Sequence, residues 1–192
     1  MKSQINVGLV GFGTVGTGTA KILLENRDLI ARRVGVPLVL QRIVDLDLTT
    51  DRGIALPRGL LSSDLPGLLN DPEIDIVIEL IGGYDTAKRI MLDAMAQGKH
   101  VVTANKALLA VHGEDVFAAA ARSGLDVGFE ASVGGGIPIV RSLTEGLAAN
   151  RCRSIVGILN GTANYILTQM LKEQQEFEDA LSQAQAKEYA CL

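Results

Sequence analysis

Ile5-Asn6-Val7-Gly8-Leu9-Val10-Gly11-Phe12-Gly13-Thr14-Val15-Gly16 is the stretch that decides the fold. An apolar strand pattern runs straight into Gly-x-Gly-x-x-Gly, and a helical pattern opens at once. Gly11 permits the tight turn out of the strand. Gly13 carries no side chain, so a pyrophosphate can approach the backbone. Gly16 lets the helix pack closely on the strand, and the helix N-terminus offers free N–H groups to phosphates. Spacing and context together predict a dinucleotide-binding turn.

Outward from this turn, strands and helices alternate. A long helix is predicted over 14–32, ended by Gly35-Val36-Pro37. A strand over 38–44 stops at Asp45, and a polar loop follows over 46–63. A short helix at 65–69, a strand at 74–81, a helix at 86–97 and a strand at 100–103 come next. Helices over 105–111 and 113–122 lead to a strand at 125–129. Such alternation predicts an α/β fold, a Rossmann-like doubly wound parallel sheet. Residues 1–130 read as its domain. Residues 131–192 read as the start of an α+β second domain: a helix over 138–148, a strand over 153–159, and helices over 163–174 and 176–187.

Composition narrows the function classes. With 192 residues, 47% hydrophobic and 21% charged, the chain suits a folded globular protein. Its net charge of −4 argues against a nucleic-acid partner. No apolar run is long enough to span a membrane as a helix. The first strand begins at residue 5, so no leader peptide is expected. Cys152 and Cys191 form no metal or disulfide pattern, which favours reduced thiols and a cytoplasmic setting.

Several residues carry candidate chemistry. Asp45 ends the second strand, where a carboxylate can bind adenosine ribose hydroxyls and disfavour a 2′-phosphate. Arg42 and Arg52 lie close in sequence and can instead attract that phosphate, so the choice between NAD and NADP stays open. Ile81-Gly82-Gly83 ends a strand where backbone can pass beneath a nicotinamide ribose. Thr103-Ala104-Asn105-Lys106 follows another strand end, and Lys106 there can hold a carboxylate or polarise a carbonyl oxygen. Neither His100 nor His112 has an obvious partner. Glu130-Ala131-Ser132-Val133-Gly134-Gly135-Gly136-Ile137-Pro138 exposes backbone carbonyls beside one carboxylate. That arrangement suits a hard cation or an interdomain hinge. In Asn160-Gly161-Thr162-Ala163-Asn164-Tyr165, Thr162 either caps a helix or faces an acidic substrate.

Taken in order, four segments resemble homoserine dehydrogenases: Gly11–Gly16, Thr103–Leu108, Glu130–Pro138 and Gly157–Ile166. The resemblance covers the chain to about residue 186. It implies NADPH- or NADH-dependent reduction of L-aspartate 4-semialdehyde to L-homoserine, on the route to threonine, methionine and isoleucine. It places the cofactor against Gly11, Phe12, Gly13, Thr14, Val15, Gly16, Asp45, Ile81, Gly82, Thr103 and Lys106, with Lys106 at the junction of nicotinamide and substrate. It implies a structural sodium ion near Glu130, Val133, Gly135 and Ile137, and a substrate side formed by Asn160, Gly161 and Thr162. A homodimer is expected.

The departures from the family pattern lie at Ala186-Lys187-Glu188-Tyr189-Ala190-Cys191-Leu192. Glu188 stands where the family has Gly, and Cys191 where it has a substrate-binding Glu. The expectation is a fragment that lacks the proton-donating Lys and turns over little substrate. The alternative is a non-catalytic dinucleotide-binding module. Acylating semialdehyde chemistry is disfavoured, because neither Cys follows a central strand.

Overall fold

A computed structural model describes residues 2–158 and 160–187. Strands β1 (Ile5–Val10), β2 (Leu38–Val44), β3 (Leu61–Ser62), β4 (Ile76–Glu79), β5 (His100–Thr103) and β6 (Val127–Gly128) form one sheet. Its order is β3-β2-β1-β4-β5-β6, and every pairing is parallel. Strand order reverses between β1 and β4, which is where doubly wound sheets open a ligand crevice. Val10 pairs with both Val44 and Glu79, and Glu79 with Thr103. The carboxyl ends of four strands therefore align on one edge, and the segments after residues 10, 44, 79 and 103 gather there.

Two apolar layers hold the sheet. Val7 and Leu9 of β1 join Phe12, Ala20, Leu23, Leu40 and Ile43 in one cluster. Val10, Val44, Val77 and Val101 join the other with Leu68, Ile90, Met91, Leu108 and Val116. Period-2 alternation along β1 and β4 explains the division. In α4 (Asp85–Ala96), Ala87, Ile90, Met91, Ala94 and Met95 follow the i, i+3, i+4 rule and are buried as one stripe. Burying side chains such as Leu9 and Leu108 contributes roughly 1.5–3 kcal/mol each.

Several elements differ from the sequence reading. The helix expected over 14–32 is two: α1 (Thr14–Glu25) and α2 (Arg27–Val34), broken at Asn26. The break has no Gly or Pro signal, and α2 ends at Gly35 with φ +85°. The two helices expected over 105–122 are one, α5 (Lys106–Ser123). Gly113 sits inside it, buried, on a continuous stripe with Leu108, Val116 and Ala120. The two residues of β3 lie in the stretch expected to be loop. A five-residue helix α3 (Leu65–Leu69) follows, capped by Asp64, whose carboxylate accepts the Gly67 N–H at 2.8 Å. The strand expected over 125–129 keeps only β6.

The chain forms two units, Met1–Thr144 and Glu145–Leu192. Near the end of the first, the expected helix over 138–148 is reduced to α6 (Ile139–Arg141), followed by a π-helical turn at Ser142–Gly146. The second unit holds α7 (Gly161–Lys172) and α8 (Phe177–Ala186), packed through Ile166, Ala180 and Ala184. Residues 153–158 form no strand. A strand needs a ladder partner, and none of the described residues pairs with this segment, so Val156 is 95% exposed. Leu159, Glu188 and Cys191, which figured in the sequence reading, lie outside the described residues.

Candidate functional site

The glycine turn leaves β1 with Gly11 at φ +98°. A Cβ at Gly11 would meet the Leu80 carbonyl at 2.6 Å, and one at Gly16 would meet the Gly11 carbonyl oxygen at 2.0 Å. Both glycines are required by backbone packing. At Gly13 a Cβ would meet nothing within 4 Å. Gly13 is the N-cap of α1 with no side-chain cap, so no N-cap side chain takes up the first-turn N–H groups. Phe12 is buried, whereas Thr14 and Val15 are exposed.

Asp45 follows β2 directly. One carboxylate oxygen accepts the Phe12 N–H, and the other accepts the Asp47 N–H at 2.8 Å. The acid thus ties the glycine turn to the loop after β2, and each oxygen keeps a further lone pair for a ligand hydroxyl. Arg42 donates to Asp71 at 3.0 Å, and Arg52 donates to Asp47 at 3.1 Å.

At the end of β4, Gly82 and Gly83 both take φ +74°, and the side chain of Ile81 is exposed. Beneath them lies a polar network that the sequence reading missed. Glu79 is fully buried. One of its oxygens accepts the Ile81 N–H at 2.8 Å, and the other accepts the Thr103 hydroxyl at 2.7 Å. Thr103 Oγ1 in turn accepts the Asn105 N–H at 2.9 Å. The Asn105 side chain donates to the Gly83 carbonyl at 2.7 Å and accepts the Leu108 N–H at 3.0 Å, capping α5. Ser132, also buried, donates to the Thr103 carbonyl at 3.0 Å. The one signal available in the sequence was a Glu inside the otherwise apolar run Val77-Ile78-Glu79-Leu80. Thr103 therefore turns its side chain inward into this network, while Lys106 stands exposed on the first turn of α5.

Glu130 opens a short 3-10 turn, Glu130–Ser132. Its carboxylate accepts the N–H groups of Val140 and Arg141, both at 2.9 Å, and so caps α6. Gly134 and Gly136 have positive φ on either side of Gly135. The Ile137 carbonyl accepts the Ile139 N–H at 2.8 Å. No group of three or more His, Cys, Asp or Glu suited to a metal occurs among the described residues.

In the second unit, Asn160 caps α7 by accepting the Ala163 N–H at 2.9 Å. Of the two roles open to Thr162, the capping one is thus taken by Asn160. Thr162 already lies inside the first turn of α7, whereas Asn160 stands just before the helix, three positions ahead of the amide it accepts. His100 opens β5 at the opposite, amino edge of the sheet, with its Nδ1 accepting the Asp126 N–H at 3.0 Å. His112 lies along α5 beside Lys88 and Asp115. No helix among the described residues is long and apolar enough to cross a membrane.

Comparison with known proteins fits this geometry. Residues 11–130 match the family model described as homoserine dehydrogenase, NAD binding domain, and residues 138–191 match that of homoserine dehydrogenase. The homoserine dehydrogenase of Bacillus subtilis is 45% identical over 181 residues, covering 94% of this chain and 42% of that protein. A crystal structure of a homoserine dehydrogenase from Thiobacillus denitrificans superposes with a TM-score of 0.88 at 48% identity, over 97% of this chain and 43% of that one. A hyperthermophilic archaeal homoserine dehydrogenase solved in complex with NADPH shares the fold, with a TM-score of 0.76 at 24% identity, over 97% of this chain and 62% of that one. The chain spans less than half the length of the curated relatives it matches. With most of its length matched by the family's NAD-binding model, the chain belongs to the homoserine dehydrogenase family.

Proposed function

We propose that this chain supplies the cofactor-binding part and the first segment of the catalytic part of an enzyme that reduces L-aspartate 4-semialdehyde to L-homoserine. The observation that carries the reading is the open N-terminus of α1 at Gly13, held by the close packing of Gly11 and Gly16. Backbone of Gly11–Gly16 takes the pyrophosphate, and Asp45 the adenosine ribose. Ile81 and Gly82 lie under the nicotinamide ribose. The bound dinucleotide supplies the hydride. Lys106, set by the Glu79–Thr103–Asn105 network, stabilises charge developing on the substrate oxygen. Asn160, Gly161 and Thr162 belong to the substrate side.

The nucleotide domain runs over 1–130 in this reading, and the catalytic part starts at 131. Support comes from the two family matches, which divide between residues 130 and 138. Glu130 and the carbonyls of Val133, Gly135 and Ile137 are assigned to a sodium ion. All four offer hard oxygens, and the two amide donors on Glu130 hold its carboxylate in place. A homodimer built through the second unit fits the exposure of Ile155, Val156, Ile158, Leu167 and Leu171. Sedimentation of the purified chain tests it. A cytoplasmic setting fits the free, exposed thiol of Cys152.

Calorimetric titration with NADH and NADPH, followed by assay with aspartate semialdehyde, tests the main reading. Binding without appreciable turnover is expected of these 192 residues alone. Gly13→Ala is expected to fold as the wild type does and to bind dinucleotide at least about tenfold more weakly. Gly16→Ala is expected to destabilise the fold itself. Full cofactor affinity in Gly13→Ala would refute the placement of the pyrophosphate.

A further inference from the structure

We infer that the adenosine end of this site selects a free 2′-hydroxyl over a 2′-phosphate, and hence NADH over NADPH, because Asp45 and Asp47 present carboxylates there while Arg42 and Arg52 are both held by aspartates. The inference rests on the dinucleotide reading above and adds the choice of cofactor.

The loop after β2 is built around these acids. Asp45 is fixed between the Phe12 and Asp47 amides. Leu46 is 94% exposed and brings no charge. One oxygen of Asp47 accepts the N–H and hydroxyl of Thr49, each at 3.0 Å, and the Thr50 N–H at 3.1 Å. Hydrogen bonds from Thr50 and Thr49 hold this carboxyl far below the usual carboxylate range, so it stays ionised. A ribose diol can donate to such carboxylates, whereas a phosphate dianion is repelled by them.

Each arginine is already paired with an aspartate. The Arg52 guanidinium lies 5.4 Å over the Phe12 ring and donates to Asp47. Its side chain is 17% exposed, and its Nε is buried with no partner among the described residues. Arg42 Nε is taken by Asp71 in the turn after α3. Both cations that sequence proximity offered to a phosphate are thus already paired with carboxylates.

The test is calorimetric titration of the purified 192-residue chain with NADH and with NADPH at fixed salt, for wild type, Asp47→Ala and Asp47→Ala/Arg52→Gln. The wild type is expected to bind NADH at least about tenfold more tightly. Asp47→Ala removes one carboxylate and releases Arg52, and is expected to shift the ratio of NADPH to NADH affinity about tenfold towards NADPH. The added Arg52→Gln change is expected to erase most of that shift. Equal affinities, or tighter NADPH binding, in the wild type overturn the inference and leave the dinucleotide site standing. Failure to bind either cofactor overturns both.

Discussion

Replacing Thr103 by Val tests the buried network that sets the carboxyl edge of the sheet. The two side chains have nearly the same shape, and Thr103 is fully buried. The change deletes one donor, to Glu79 at 2.7 Å, and one acceptor, for the Asn105 N–H at 2.9 Å. Each group left unsatisfied in the interior costs about 2 kcal/mol. The gain from burying a methyl in place of a hydroxyl returns roughly 1 kcal/mol. The net loss is about 3 kcal/mol, a large share of the roughly 5–15 kcal/mol that holds a typical domain folded. With a urea m-value of about 2 kcal/mol/M, the unfolding midpoint falls by roughly 1.5 M. Thr103→Ser keeps both hydrogen bonds and loses one methyl, so it is expected to lose only about 1 kcal/mol. Urea unfolding followed by circular dichroism compares the three proteins. A Val variant no less stable than the Ser variant would refute the reasoning.

Asn105→Ala removes the α5 cap and the bond to the Gly83 carbonyl, and is expected to lose about 1–2 kcal/mol in the same assay. Asn105→Asp keeps the cap acceptor and is expected to lose less; equal losses would mean that the cap contributes nothing. Acid unfolding reports on Asp71 and Asp75. The Glu73 N–H, with help from Arg42, lowers the Asp71 carboxyl, while burial opposes it. Burial raises the Asp75 carboxyl, but Lys2 and the Asn6 N–H outweigh it and the net shift is downward. Folded values below the ordinary 3.8 mean that both acids stabilise the fold above that pH, and that the contribution is lost as pH falls through the folded values. Stability is therefore expected to drop below about pH 4, and Asp75→Asn to show a shallower acid limb. An unchanged limb in that variant would exclude Asp75 as a source.

Local signals carried much of the fold. The second and fourth predicted strands, over 38–44 and 100–103, coincide with β2 and β5, because turn residues bound each apolar run closely. The glycine turn was legible for the same reason: strand, turn and helix are contiguous. Long-range pairing was not. β3 exists only because Leu61 and Ser62 fall beside Ile43 and Val44. The segment over 153–158 has strand-like residues but no described partner, so propensity alone does not order it. Glu79 read as one polar residue in an apolar strand, since its partner Thr103 lies 24 residues on. The Asn26 break is a backbone event without a Gly or Pro to announce it.

The three glycines of the turn answer to different pressures. Gly11 and Gly16 are needed to let Leu80 and the start of α1 pass, whether or not a ligand is ever bound. Gly13 alone is left free by the fold. In a descendant that abandoned the dinucleotide but kept the sheet, the outer two would stay under selection and the middle one would drift. The motif is thus a fossil record in two layers, and its central position is the one that dates the loss of a ligand.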